Sequence, residues 1–298
     1  MIVGSQGGRF RVVTKYVGLC GLLLATVLKS AAYAADGNLV LGIFPRYNAT
    51  DTATMYMPLA DYLSQRLGNI KVTVATTKDF DTFWKGVEDQ KYDVVHFNQY
   101  QFIRSAKNYR VIAHSQEFGR NAVAGAIFVR RDSGITDLTQ LRGRTVIFGG
   151  GRDAMLSYIA PRFLLMRAGL KDEDFKSEFA VNPPNALLAL YHRQADAAGG
   201  GDILVDLPVV KNAIDAGELK VLAMTDPLLF LPWAVKRTMP AKLRNSIQSI
   251  LTELGQDPAG KEILKAAKTS GINKAEDKDY AVHRTMVKAV MGPKGMGR

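Results

Sequence analysis

The sequence predicts an α/β protein built from two successive rounds of alternating strand and helix, and three observations predict it. Short apolar runs of strand length recur between segments whose apolar residues follow helical spacing. The alternation breaks near Ala122 and then resumes. The chain ends in amphipathic segments with no strand signal between them, and such helices need an existing sheet to pack on.

In the first round, Leu39 to Phe44 is an apolar strand run, and Met55, Leu59, Tyr62, Leu63 and Leu67 then recur at helical spacing until Gly68 stops them. Val72 and Val74 alternate in a second strand. Phe80, Phe83, Trp84 and Val87 mark a second helix, and Asp93 to Phe97 and Val111 to His114 read as further strands. Strands separated by helices of about 10 to 15 residues imply right-handed crossovers and a mainly parallel sheet covered on both faces.

In the second round, Ala126 to Val129 and Thr145 to Phe148 read as strands, with a turn at Asp132-Ser133-Gly134. A helix follows from Ala154 to Ala168, carrying Met155, Ile159, Phe163 and Met166 on one face; Pro161 should kink it, since proline lacks the backbone donor and crowds the preceding turn. Strand Phe179 to Asn182, helix Asn185 to His192, strand Ala195 to Ala198, helix Leu204 to Ala216 and strand Leu219 to Met224 complete the round. After Phe230 to Val235 only helices are expected, the clearest carrying Leu243, Ile247, Ile250, Leu251 and Leu254 before Gly255. The economical arrangement returns these helices to the first lobe, so that the chain crosses between lobes twice, near Ala122 to Val129 and near Thr225 to Trp233.

Residues 1–34 read as an export signal. Arg9, Arg11 and Lys15 form a positive start without acids, Val17 to Leu28 is apolar, and Ala32-Tyr33-Ala34 puts small residues where a signal peptidase reads. Cleavage after Ala34 is expected, which places the mature chain in the periplasm. The apolar run is shorter than the roughly 20 residues that span a bilayer. Cys20, the only cysteine, lies mid-run behind Leu19, where lipoprotein processing requires a small residue. The mature 298 − 34 = 264 residues then have no disulfide and no thiol chemistry, and must be held by an ordinary core.

The formal charge of +11 overstates the mature excess, because Arg9, Arg11, Lys15 and Lys29 leave with the signal and no acid leaves with them. The remaining basic residues alternate with acids, as in Lys171-Asp172-Glu173-Asp174-Phe175-Lys176, so no basic stripe interleaved with aromatics offers itself to nucleic acid. A modest positive excess still draws small anions. Enzyme classes lack their signatures. His96, His114, His192 and His283 are scattered, and there is no HExxH, no Gly-x-Ser-x-Gly elbow and no P-loop. His96, on a buried strand, reads as a satisfied core histidine. No catalysis, metal or cofactor is expected.

The strings Val40-Leu41-Gly42-Ile43-Phe44-Pro45, Pro58-Leu59-Ala60-Asp61-Tyr62-Leu63, Tyr92-Asp93-Val94-Val95-His96-Phe97, Asp137 to Val146 and Leu231-Pro232-Trp233 occur in an order that resembles the type 2 periplasmic solute-binding proteins of ABC importers. Within them, the chain is similar to the phosphate, phosphite and phosphonate receptors. The resemblance implies an α/β fold of two lobes with two hinge crossings: signal peptide 1–34, first lobe 35–122 plus 230–298, second lobe 123–229. It also implies a small-molecule anion or zwitterion as ligand, captured by hinge closure, an ABC permease of the inner membrane as partner, and a monomer without nucleic acid. A ligand-sensing receptor for a membrane histidine kinase or chemoreceptor, with a carboxylate or zwitterion as ligand, uses the same fold and is the alternative.

In open α/β sheets ligands bind outside the carboxyl ends of strands, and several loops converge there. Where the family carries hydroxyl residues opening a helix, this chain has Gly149-Gly150-Gly151-Arg152-Asp153. Gly150 and Gly151 allow successive N–H groups to point into one concavity, and Arg152 either forks an oxyanion or points to solvent. Asp153 reads as a helix N-cap. Where the family places a histidine and an aspartate, Asn182-Pro183-Pro184-Asn185 stands instead, with Asn185 either a cap or a ligand contact. Asn98, Gln99 and Tyr100 align with a family loop that faces the cleft, and Tyr47 is placed like a family cleft residue. Asp202, after Gly199-Gly200-Gly201, has three options: a ligand amine, Arg152, or a cap at Ile203.

Overall fold

The computed structural model describes residues 37–297. The export signal lies outside them. Two mixed sheets form the frame, one of six strands and one of five.

The first sheet begins with β1 (Asn38–Ile43), followed by helix α1 (Ala49–Leu67), β2 (Lys71–Ala75), α2 (Phe80–Glu88), β3 (Val94–His96), α3 (Gln99–Ser105) and β4 (Tyr109–Gln116). The Asn48 side chain accepts the Asp51 N–H and starts α1, whose face of Tyr56, Leu59, Ala60 and Leu63 is buried against Leu39, Leu41 and Ile43 of β1. β1 pairs in parallel with both β2 and β3, as strand–helix–strand crossovers require.

The chain then crosses through β5 (Ala122–Val123) into β6 (Gly125–Arg130). β7 (Thr145–Gly149), helix α4 (Ala160–Arg167), β8 (Lys176–Ala180), α5 (Pro183–Tyr191), β9 (Ala197–Gly201), the single-turn α6 (Pro208–Lys211) and β10 (Leu219–Met224) build the second sheet. It returns through β11 (Leu228–Leu229), which pairs antiparallel with β5, into β12 (Pro232–Lys236) of the first sheet. Helices α7 (Ala241–Glu253) and α8 (Pro258–Ala266), strand β13 (Gly271–Lys274) and α9 (Ala281–Met291) follow. Ile247 and Leu251 of α7 join the β1–α1 core, so the C-terminal helices do return to the first sheet.

Four expectations need correction. The sheets are mixed rather than mainly parallel, because the strands entered at a crossing run against their neighbours: β12 lies antiparallel between β3 and β4, and β6 antiparallel to β9 and β10. The C-terminal segment is not all helix, since β13 pairs antiparallel with β4 at the sheet edge. Pro161 does not kink a long helix. A π-turn at Met155–Ile159 precedes it and Pro161 sits in the first turn of α4, where its missing N–H costs nothing. The helix expected over Leu204 to Ala216 is instead a 3-10 turn, Asp202–Asp206, followed by α6 and a further 3-10 turn at Ala216–Glu218.

His96 is the expected core histidine. It stacks on Trp233 with centroids 4.2 Å apart and its Nδ1 lies 3.2 Å from the Pro232 carbonyl oxygen. Burial drives its pKa down to about 3, with the Pro232 hydrogen bond opposing and Arg46 adding to the fall.

Candidate functional site

The loop after β7 is shaped by a close approach. A Cβ on Gly149 would lie 2.2 Å from Pro183 Cα, so only glycine lets β7 end against the start of α5. Gly150 turns with φ +82° and donates its N–H to the Ala180 carbonyl at 2.8 Å. The next three N–H groups, of Gly151, Arg152 and Asp153, have no acceptor among the described residues. They are exposed donors at the carboxyl end of a parallel strand.

Arg152 lies along the second-lobe wall. Its Nη1 donates to Tyr158 Oη at 2.6 Å, and its guanidinium carbon sits 5.3 Å from the Tyr158 ring centroid and 5.4 Å from that of Phe179. This holds one edge of the fork and leaves Arg152 exposed. Asp153 is not a cap, because the π-turn begins at Met155 with Ala154 in the N-cap position and no side-chain cap. Instead Asp153 feels the first lobe. Desolvation raises its pKa, Arg104 opposes that shift, and Asp81 adds to it. Tyr100, buried at 3 % exposure, senses the same Arg104 and Asp153 charges. Loop 150–154 thus faces α2 and α3 across the gap between the lobes.

The other expected residues divide. Asn98 caps α3, its Oδ1 accepting the Gln101 N–H at 2.7 Å. Gln99 is buried and its Nε2 donates to the Leu229 carbonyl at 3.1 Å, which ties α3 to the returning strand β11. Asn182, not Asn185, caps α5, accepting the Asn185 N–H at 2.9 Å; the Asn185 side chain is exposed. Asp202 neither pairs with Arg152 nor caps a helix at Ile203. Its Oδ2 accepts from Arg120 Nη2 at 2.6 Å and its Oδ1 from the Ala124 N–H at 3.1 Å. Tyr47 carries the Lys268 ammonium 4.3 Å from its ring centroid and lines a cavity with Arg46, Tyr56, Glu117 and Phe118 at the end of β1.

Sequence reasoning missed Arg104, Arg120 and the Arg46–Glu117 ion pair at 2.6 Å. A signal for Arg120 existed: it follows Phe118-Gly119 directly before a predicted crossing, where a charged turn residue borders both lobes. Among the described residues no group of three or more His, Cys, Asp or Glu side chains can hold a metal ion, and no helix is long and apolar enough to cross a membrane.

Two sheets joined by a pair of short crossing strands, with strand-end loops facing one another across the junction, define a two-lobed periplasmic binding protein. The model of the family described as "ABC transporter, phosphonate, periplasmic substrate-binding protein" matches residues 41–280, and the chain belongs to that family. Solved structures share the fold at low identity. XAC2383 from Xanthomonas citri bound to ATP is 18 % identical with a TM-score of 0.72, over 86 % of this chain and 98 % of its own. PhnD1 from Prochlorococcus marinus (MIT 9301), in complex with methylphosphonate, is 17 % identical with a TM-score of 0.68, over 86 % and 99 %. A binding protein component of an ABC phosphonate transporter, PA3383 from Pseudomonas aeruginosa, is 15 % identical with a TM-score of 0.64, over 84 % and 85 %.

Proposed function

We infer that the mature chain is a periplasmic receptor that captures a small oxyanion, phosphonate-like in charge and shape, between its lobes and delivers it to an ABC importer. The observation that carries this reading is the row of unpartnered N–H groups at Gly151, Arg152 and Asp153 beside the exposed Arg152 guanidinium. Amides and a guanidinium supply what serine and threonine hydroxyls supply elsewhere in the family: directed donors for oxygen atoms that share a negative charge. XAC2383 is bound to ATP and PhnD1 to methylphosphonate, and both ligands present tetrahedral phosphorus oxygens of the kind such donors suit.

On this reading the chain acts by hinge closure, turns nothing over, works as a monomer in the periplasm after cleavage following Ala34, and meets no nucleic acid. A ligand touching both lobes favours the closed state by its differential contacts. Titration calorimetry of residues 35–298 against methylphosphonate, phosphite, sulfonates, carboxylates and amines tests the ligand class, and small-angle scattering tests closure. Saturable binding of a phosphonate or phosphite with a more compact particle is expected. Selective binding of a carboxylate or amine, or unchanged dimensions at saturation, refutes it.

A further inference from the structure

A cavity of about 430 Å³ opens at the end of the first sheet that points away from the cleft. β4 runs the same way as β1, because β12 lies antiparallel to both β3 and β4 while β3 is parallel to β1. The loops that face the second lobe follow the carboxyl ends of these strands, whereas this cavity is floored by Arg110, Val111 and Ile112 at the amino end of β4. At about 3.3 Å per strand residue, the length of β4 from Arg110 to Gln116 puts it roughly 20 Å from the cleft end. One wall is α7; the other runs from Lys274, the last residue of β13, into the 3-10 turn Asp277–Tyr280 before α9. The inference therefore does not rest on the function proposed for the cleft.

Both walls are tied to the floor, so the outline of the cavity is set by the fold. Gln248 of α7 donates from Nε2 to the Ile112 carbonyl at 2.6 Å, and the Ala275 N–H donates to the same oxygen at 3.3 Å. Asp277 accepts the Val111 N–H at 2.8 Å through Oδ1 and is bonded by Arg237 through Oδ2.

The charges define the occupant. The lining carries the cations Arg110, Arg244, Lys274 and Lys278 and the carboxylates Glu276 and Asp277, a net 4 − 2 = +2. Both carboxylates are committed, Asp277 to the floor and to Arg237, and Glu276 to Lys278 at 3.1 Å. Arg110, Arg244 and Lys274 form no ion pair among the described residues, and Arg244 makes only a 3.4 Å bond from Nε to its neighbour Asn245. Like charges gathered around one space favour an anion between them. These three cations come from the floor and from each wall, so an anion with its charges on separate arms can meet all of them. Among the described residues no aromatic ring lines the cavity, which leaves no face for a nucleotide base to stack on. The volume lies within the roughly 300 to 1,000 Å³ of small-molecule sites.

We propose that this cavity is a second ligand site, taking a small polycarboxylate with three carboxylates on a short aliphatic frame. The Arg110 and Arg244 guanidinium groups each fork one carboxylate, and Lys274 Nζ donates to the third.

Citrate is the probe, titrated by calorimetry into residues 35–298 at fixed ionic strength. One-to-one saturable binding is expected. Arg110→Gln, Arg244→Gln and Lys274→Gln should each weaken it roughly fivefold, the equivalent of about 1 kcal/mol, the upper range for exposed ion pairs. Acetate keeps one of three such contacts and should bind roughly 25-fold more weakly than citrate. Lys288→Gln, on an exposed part of α9 outside the cavity, removes the same charge from the chain and should leave citrate affinity as in wild type. The proposal is overturned if wild type shows no saturable binding, or if the three cavity variants weaken citrate no more than Lys288→Gln does, which would mean attraction to net charge or binding at the cleft. Acetate binding as tightly as citrate overturns the assigned ligand class.

Discussion

Asp202 stands at the end of β9 and spends both carboxylate oxygens on the crossing, so its removal should cost stability rather than ligand affinity. Oδ2 accepts from Arg120 at 2.6 Å, and Oδ1 from the Ala124 N–H at 3.1 Å. The ion pair is half open to water, with side-chain exposures of 43 % for Arg120 and 17 % for Asp202, so it falls in the range of exposed pairs, roughly 0.2 to 1 kcal/mol. The Ala124 N–H is partly buried, and leaving such a donor unmatched costs roughly 1 to 3 kcal/mol. Asp202→Asn keeps the acceptor and loses the charge, so it should cost about 0.5 to 1 kcal/mol. Asp202→Ala loses both and should cost about 1.5 to 3 kcal/mol. Urea unfolding of the mature chain reads the two values. Equal costs for both variants would show that the amide contact contributes nothing. Unchanged stability with selective loss of affinity for amine-bearing ligands would return Asp202 to the ligand site.

Arg152→Ala should weaken oxyanion binding by roughly 1.5 to 3 kcal/mol, the range for hydrogen bonds to charged groups, as read by calorimetry; equal affinities would leave the guanidinium as a lid on Tyr158 and Phe179 only. Stability should fall on acidification. Burial holds His96 near pKa 3 and His283 near 4, against an ordinary 6.5, so the unfolded chain binds their protons first: the contribution is complete above pH 6.5 and is lost as pH falls toward those values. Urea midpoints at pH 7.5 and 5 should converge in His96→Phe relative to wild type, by up to about 1.4 kcal/mol per pH unit in that window, and an unchanged slope would refute the assignment. Gly149→Ala should destabilise by about 1 to 3 kcal/mol, because its Cβ meets Pro183 backbone atoms at 2.2 and 2.4 Å; a neutral thermal melt would show that α5 shifts freely.

The frame was legible where burial is periodic and local. β1, α1, β6 and β10 follow their apolar patterns. What escaped was set by distant neighbours. β13 carries one buried apolar residue, Ile272, and is a strand because β4 offers it an edge. β8 runs over Lys176–Ala180, earlier than the apolar run suggests, and Val181 of that run is 87 % exposed. β9 continues through Gly199, Gly200 and Gly201, beyond the apolar run Ala195 to Ala198. The second lobe needs them bare: a Cβ on Gly200 would lie 2.2 Å from Leu204 Cδ1, and one on Gly199 would lie 2.8 Å from the Ser157 carbonyl oxygen in the π-turn. The glycine turn after β7 was legible as a turn for a chemical reason, since its residue types fix its backbone. Asp202 was not, because its partner Arg120 lies 82 residues away.

That distant pair gains meaning from how the crossing is anchored. The turn before it belongs to the first sheet: Glu117 is forked by Arg46, the Gly119 N–H donates to Ser270 Oγ at 3.0 Å, and Asn273 donates to Asn121 at 2.6 Å. Strand β11 belongs there too, with Gln99 and His283 both 3.1 Å from the Leu229 carbonyl oxygen and Tyr280 donating to that of Phe230 at 2.8 Å. Beyond the crossing, Ala124 is held through both its N–H and its carbonyl by Asp202, and Gly125 through both of its groups by Thr225. Between these two sets of anchors lie only Ala122–Val123 on the way out and Asp226-Pro227-Leu228 on the way back, where proline restricts the residue before it to extended backbone. A rotation of the second lobe would therefore be absorbed within a few residues. Arg120, fixed on one side of that short span, and Asp202, fixed on the other, form a side-chain bond that a moving lobe must either stretch or carry with it.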